Sequence, residues 1–146
     1  ILLTPAADLA VATGRALDST GATAARVVGG SSVVSESVVS ELRARGLSVV
    51  RLAGADRYAS SRAVADFYRS KVPVTSEVVI TNGSDRSLVD SLVAGTRARL
   101  LVLAPPSGLG EEAARTLQST PLLETISAVG GTASLSAAVL KTASLS

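Results

Sequence analysis

Short runs of β-branched or leucine-rich residues alternate along the chain with longer alanine-rich stretches in which apolar residues return every three or four positions. The first kind of run suits strands buried on both faces, and the second suits helices laid over them. The pattern predicts strands at Ile1 to Thr4, Arg26 to Gly29, Ser48 to Ala53, Glu77 to Thr81, Leu100 to Ala104 and Thr125 to Val129. It predicts helices over approximately Ala7 to Asp18, Glu36 to Arg45, Tyr58 to Arg69, Ser87 to Thr96, Gly110 to Gln118 and Ser134 to Thr142. The fold class is α/β: a mostly parallel sheet with flanking helices. In that sheet Val27, Val28, Val49, Val79, Ile80, Leu101, Val102 and Val129 are expected to be buried.

The stretch from Ser35 to Arg45 shows how such a helix is written. Val38, Val39 and Leu42 share one face while Glu36, Ser40, Glu41, Arg43 and Arg45 take the rest of the circumference. Ser35 stands where a helix N-cap belongs, and Gly46 where a residue of positive φ ends one.

The chain also repeats itself. Leu2-Leu3-Thr4-Pro5 returns as Val102-Leu103-Ala104-Pro105, Val28-Gly29-Gly30 as Val129-Gly130-Gly131, and Val34-Ser35 as Leu135-Ser136, at spacings of 100, 101 and 101 residues. Residues 1–50 therefore read as the C-terminal half of one repeat and 51–146 as a nearly complete second one. With no proline- or glycine-rich linker between them, a single compact domain over 1–146, its sheet drawing on both copies, is the expectation.

Composition narrows the chemistry. The 47% apolar content is mostly Ala, Val and Leu, and Tyr58, Phe67 and Tyr68 are the only aromatics. The absence of Cys and His removes disulfides, thiolate nucleophiles, zinc-thiolate sites and the commonest general base. Fourteen basic residues against twelve acidic ones give +2, spread along the chain, which is too dispersed for a nucleic-acid-binding arm. Only Lys71 and Lys141 are lysine. The arginine bias reflects either a GC-rich genome or guanidinium forks suited to phosphate and carboxylate oxygens. No apolar run approaches the ~18 residues of a membrane span, and the opening Ile1-Leu2-Leu3 is what a segment of a longer polypeptide would show.

The run Arg51-Leu52-Ala53-Gly54-Ala55-Asp56-Arg57-Tyr58-Ala59-Ser60 leaves a strand, turns at Gly54 and enters a helix. It resembles the repeat opening of the cell wall-binding repeat 2 family, with Ser60 in place of the usual Thr. Asn82-Gly83 after a strand, Asp90-Ser91-Leu92 in place of Asp-Ala-Leu, and the two aliphatic-Gly-Gly turns follow in that family's order. The resemblance implies a Rossmann-like or Toprim-like repeat of secreted, wall-associated proteins of Gram-positive bacteria. It further implies a non-catalytic module without a cofactor, which anchors a larger protein to an anionic cell-wall glycopolymer and associates with other copies of the repeat.

Read from the residues, Asp56 is placed to cap the following helix, and Arg57 projects from its first turn toward either a ligand or a carboxylate such as Asp90. Gly29, Gly30 and Ser31, and again Gly130 and Gly131, lead toward helices whose N–H groups suit anions, though the glycines also serve simply to turn the chain. Candidate ligand-binding residues are thus Arg51, Asp56, Arg57, Tyr58, Ser60, Gly29, Gly30, Ser31, Gly130, Gly131 and Asp90. Tyr58 and Tyr68 also suit packing. With few rings available, neutral-sugar stacking gives way to charge and hydrogen bonding. Nucleotide binding finds no glycine fingerprint or P-loop. Two rival functions stand: a metal-dependent Toprim-like enzyme using Asp56, Asp85 and Asp90, or a purely structural assembly module.

Overall fold

The helix written by Val38, Val39 and Leu42 forms as α2, Glu36–Ala44, with all three side chains buried. The Ser35 side chain accepts from Val38 N at 3.3 Å, and Gly46 takes a φ of 84° just past the helix end. A computed structural model describes residues 1–71, 76–96, 100–131 and 135–143. It divides into two units, Ile1–Ala53 and Gly54–Ser146.

The first unit comprises α1 (Val11–Thr20), β1 (Ala24–Val28), α2 and β2 (Ser48–Leu52). β1 and β2 run parallel, with Ala24 opposite Ser48 and Val28 opposite Leu52. Leu9, Val27, Val34, Val38, Val39, Leu42 and Leu47 form its core. Arg45, at the end of α2, ties that helix to α1 through Asp18 at 2.7 Å.

The second unit comprises α3 (Arg57–Arg69), β3 (Glu77–Asn82), a 3-10 turn (Asp85–Ser87), α4 (Leu88–Gly95), β4 (Leu101–Ala104), α5 (Glu111–Gln118), β5 (Thr125–Val129) and α6 (Ala137–Ala143). Its strands are all parallel, in the order β4-β3-β5. From Val78 to Asn82 every residue of β3 is buried, as the continuous apolar run requires of a central strand covered on both faces. Val78 and Ile80 share a core with Ala65 of α3, Ala113 and Leu117 of α5 and Val139 of α6. Residues on the opposite face meet α4, where Thr81 and Ser91 join their hydroxyls at 2.7 Å. Outward from α4, Val89, Leu92 and Val93 are exposed. No helix among the described residues is long and apolar enough to cross a membrane.

The structure differs from the sequence expectation in several places. Ile1 to Thr4 form no strand; there the Thr13 hydroxyl donates to Leu3 O, and Thr4 Oγ1 accepts from Ala10 N. The following helix starts at Val11 rather than Ala7. The described strands form two sheets, β1-β2 and β4-β3-β5, and in the first of them Arg51 and Leu52 of the second copy pair with Val27 and Val28 of the first. Of the eight residues expected in the core, Val28 is exposed, since it points from the open face of a two-stranded sheet; the other seven are buried or half-buried. The helix expected from Ser87 opens as the 3-10 turn. The predicted start of the last helix, Ser134, lies outside the described residues.

The sequence repeat is also a structural one. β1 and β5 occupy positions 101 residues apart, and each is followed by a glycine of positive φ, 116° at Gly29 and 131° at Gly130. Val34 N donates to Gly30 O and Leu135 N to Gly131 O, both at 2.9 Å.

Candidate functional site

The segment Arg51 to Ser60 divides its work between the units. In the first, Arg51 on β2 donates to Gly29 O at 2.7 Å and pairs with Glu36 at 2.9 Å. The arginine thus reaches across the ladder and fastens the turn after β1 to the start of α2. Ser31 is exposed within that turn, where Val33 N and Val34 N fold back onto Gly30 O. The helix starts only at Glu36, capped by Ser35. Gly29, Gly30 and Ser31 therefore shape a turn rather than offering the helix N-terminus that the sequence suggested.

In the second unit Gly54 approaches the first turn of α3 closely, and its N–H donates to the Ser60 hydroxyl at 3.0 Å. Asp56 is the N-cap of α3, accepting from Ala59 N at 2.8 Å. This answers one of the orphan donors of the helix start. Replacing Asp56 by alanine should cost about 1 kcal/mol of stability, most of it restored by Asn or Ser. Equal urea midpoints for wild type and Asp56→Ala would remove the cap from that role.

Arg57 leaves the first turn of α3 toward the carboxyl end of β3, donating to Gly83 O at 2.8 Å and pairing with Asp85. Hydrogen bonding to Asp85, followed by the charge of that carboxylate, raises the Arg57 pKa above its ordinary value. The guanidinium therefore stays charged throughout the neutral range. The partner is not Asp90, which sits half-buried in the first turn of α4; the Gly83 carbonyl fixes where the guanidinium can lie, and Asp85 is the carboxylate beside it. Gly83 itself is closely backed by the Tyr58 ring, 2.6 Å from where a β-carbon would stand, so Tyr58 packs beneath the loop. Tyr68, by contrast, is exposed and meets Phe67 edge-on at 5.6 Å.

Among the residues singled out from sequence, the fold thus brings together Asp56, Arg57, Tyr58 and Ser60 at one end of the second sheet, and Arg51 with Gly29 and Gly30 in the first unit. Gly130 and Gly131 are exposed after β5. Two features lie outside the candidate ligand-binding residues named from sequence. Asn82 is buried, and its side-chain oxygen accepts from Ser84 N at 2.8 Å, which shapes the loop that carries Asp85; the Asn-Gly-Ser-Asp string is a turn signal that points to it. The other is a shallow depression of about 370 Å³ lined by Arg62, Asp66, Arg69, Arg115, Gln118 and Ser119. Its guanidinium groups are already engaged: Arg62 with Glu112 at 2.8 Å, Arg69 with Asp66 at 2.7 Å, and Arg115 with Glu111.

Of the three carboxylates expected of a metal enzyme, Asp56 is committed to its cap and Asp85 to Arg57. Among the described residues no group of three or more acidic, His or Cys side chains could hold a metal ion.

No curated protein sequence is similar enough to this chain to count as a relative. Among solved structures, Cwp6 from Clostridium difficile has the same fold, with a TM-score of 0.82 and 24% identity over 94% of this chain. The chain spans 22% of the length of that structure. The sequence profile of cell wall binding domain 2 (CWB2) matches residues 51–140, the stretch that opens with Arg51 and closes with the β5 turn and α6. The chain belongs to the cell wall binding domain 2 family, and is a cell wall-binding module of α/β fold.

Proposed function

We propose that this module is a non-catalytic anchor that holds a larger secreted protein to an anionic secondary polymer of the wall, and that the loop bearing Arg57 is its contact. The observation that carries the reading is the placement of Arg57 at the carboxyl end of β3, the end at which open α/β sheets take their ligands. Its side chain is 44% exposed although anchored by Gly83 O and Asp85. A guanidinium held in this way offers its remaining N–H groups in a fixed direction, which suits phosphate or carboxylate oxygens. The scarcity of aromatic side chains favours the same chemistry over ring stacking. Asp56, Tyr58 and Ser60 then serve by building the loop, and Arg51, Gly29, Gly30, Ser31, Gly130, Gly131 and Asp90 act from other positions in the same repeats.

Isolated walls should capture the protein, and walls stripped of anionic polymer by acid extraction should not; capture that survives extraction would remove the anionic polymer as ligand. On intact walls, Arg57→Ala should lower binding severalfold while Arg43→Ala, exposed on the solvent side of α2, leaves it unchanged. Both variants should give the wild-type circular dichroism spectrum. Equal binding by the two would assign Arg57 to structure alone.

A further inference from the structure

Asn82 is the only asparagine in the chain, and the residue after it is glycine. Asn-Gly is the pair that loses its side-chain amide most readily, because glycine has no side chain to keep its backbone nitrogen away from the asparagine Cγ. The fold asks for both residues for reasons unrelated to that reaction. Asn82, 2% exposed at the end of β3, makes the turn by accepting from Ser84 N through Oδ1 at 2.8 Å. An aspartate in its place would bury a charge. At position 83 a β-carbon would stand 2.6 Å from the Tyr58 ring and 3.2 Å from Leu103 Cβ, so the loop requires glycine.

The same surroundings restrain the pair from reacting. Attack on Cγ requires Gly83 N to give up its proton and turn toward the side chain, whereas Gly83 N donates to Ala104 O at 2.9 Å, extending the ladder between β3 and β4. Gly83 O accepts from Arg57 at 2.8 Å, and Asn82 Oδ1 is held toward Ser84 N, so the groups on either side of the bond are also fixed. Burial of Asn82 keeps away the water that completes the reaction.

We propose that Asn82-Gly83 is a latent self-modification site, kept inert by the folded end of the second sheet and released when that end opens. On opening, the Gly83 nitrogen loses its proton and bonds to Asn82 Cγ, the bond from Cγ to Nδ2 breaks, and ammonia departs to leave a five-membered imide. Water then opens the ring. Addition at Cγ gives aspartate; addition at the main-chain carbonyl gives isoaspartate, with Gly83 now attached through Cγ. In sum an amide and a water become a carboxylate and an ammonium ion, and neither an oxidant nor a second protein takes part. Isoaspartate adds one backbone carbon before Gly83 and carries Gly83 O away from Arg57. Aspartate puts a carboxylate where a buried amide stood, close to Asp85. Either product unmakes the loop that anchors Arg57, and refolding does not restore it. The inference holds whether or not Arg57 touches a wall polymer.

The test incubates the full chain, folded and in denaturing urea, beside a synthetic peptide of residues 79–87 at mildly alkaline pH. Isoelectric focusing reads the new negative charge, and peptide mapping separates aspartate from isoaspartate at position 82. The peptide and the unfolded chain should convert at similar rates, and the folded chain at least roughly tenfold more slowly. Urea below the unfolding transition should quicken conversion of the folded chain in step with hydrogen exchange of the Gly83 N–H, since both need the same opening. In the converted chain, purified by ion exchange, the Gly83 and Ser84 amides should exchange severalfold faster than in the unconverted one. Conversion of the folded chain as fast as the peptide, no conversion of the peptide, a folded-state rate indifferent to urea that quickens Gly83 exchange, or unchanged exchange after conversion would each overturn the proposal.

Discussion

Replacing Gly54 by alanine should destabilise the second unit by about 3 kcal/mol, a large effect for one methyl group. That methyl would stand 2.3 Å from the Ala59 side chain, 2.6 Å from the Ala59 carbonyl carbon and 2.8 Å from Ser60 N. Two of the three are backbone atoms of the first turn of α3, which cannot rotate aside. The loop cannot swing out either without breaking the bond from Gly54 N to the Ser60 hydroxyl. Overpacking costs roughly 1–3 kcal/mol where side chains can adjust, and the upper end applies where the obstacle is a helix backbone. Gly108→Ala is the control: a β-carbon there meets nothing within 4 Å. It should be neutral or gain a few tenths of a kcal/mol through the unfolded chain. Urea titration of both variants checks the pair, and equal midpoints would mean that the loop does not press on α3.

That glycine illustrates what the sequence discloses and what it withholds. Gly54 reads as a turn, but the need for a bare α-carbon comes from Ala59, five residues on, and is visible only once the loop lies against the helix. The strands β3 and β5 were legible because the buried or half-buried residues of each are contiguous in the chain. α2 was legible because its period and cap agree. Ile1 to Thr4 has strand composition, yet period says nothing about whether a partner strand is present, and no described strand pairs with it. Pairing between distant strands is equally silent in the period, and the order β4-β3-β5 is visible only in the fold.

The same holds for the candidate site. The cap at Asp56 could be read directly, since capping is local and its residue types are few. The partner of Arg57 could not. Asp85 and Asp90 are close to each other in sequence and far from Arg57, and the choice between them depends on the Asn82 turn that carries Asp85 toward the carboxyl end of β3. The Gly29-Gly30 turn differs from its sequence reading for a related reason: glycine before a helix suggests an anion site, but the length of the intervening turn decides whether any helix N–H is offered. At Gly29 and Gly30 that turn runs to Ser35 before α2 begins.

Attachment to walls should fall steeply as salt rises, and should be far stronger for a polypeptide that carries several copies of the repeat than for this chain alone. The net charge of +2 is too small for long-range attraction to carry affinity, so under the proposed function the binding would rest on local contacts such as Arg57. That guanidinium is exposed, and its interaction with a polymer charge is screened beyond a Debye length of ~8 Å at physiological salt. A single contact of this kind is weak. Copies joined in one polypeptide meet a repeating polymer at high effective concentration, and avidity then exceeds the single-site affinity by roughly 10²-fold or more without any new contact. Each copy also loses its electrostatic share together with the others, so salt should release the multivalent protein over a narrower range than it weakens the single module. Titrating both proteins against purified polymer at low and high salt measures the two effects separately. Tight, salt-insensitive binding by the 146-residue chain would show that recognition depends on neither charge nor multiplicity, and would redirect attention from Arg57 to the apolar residues exposed on α4.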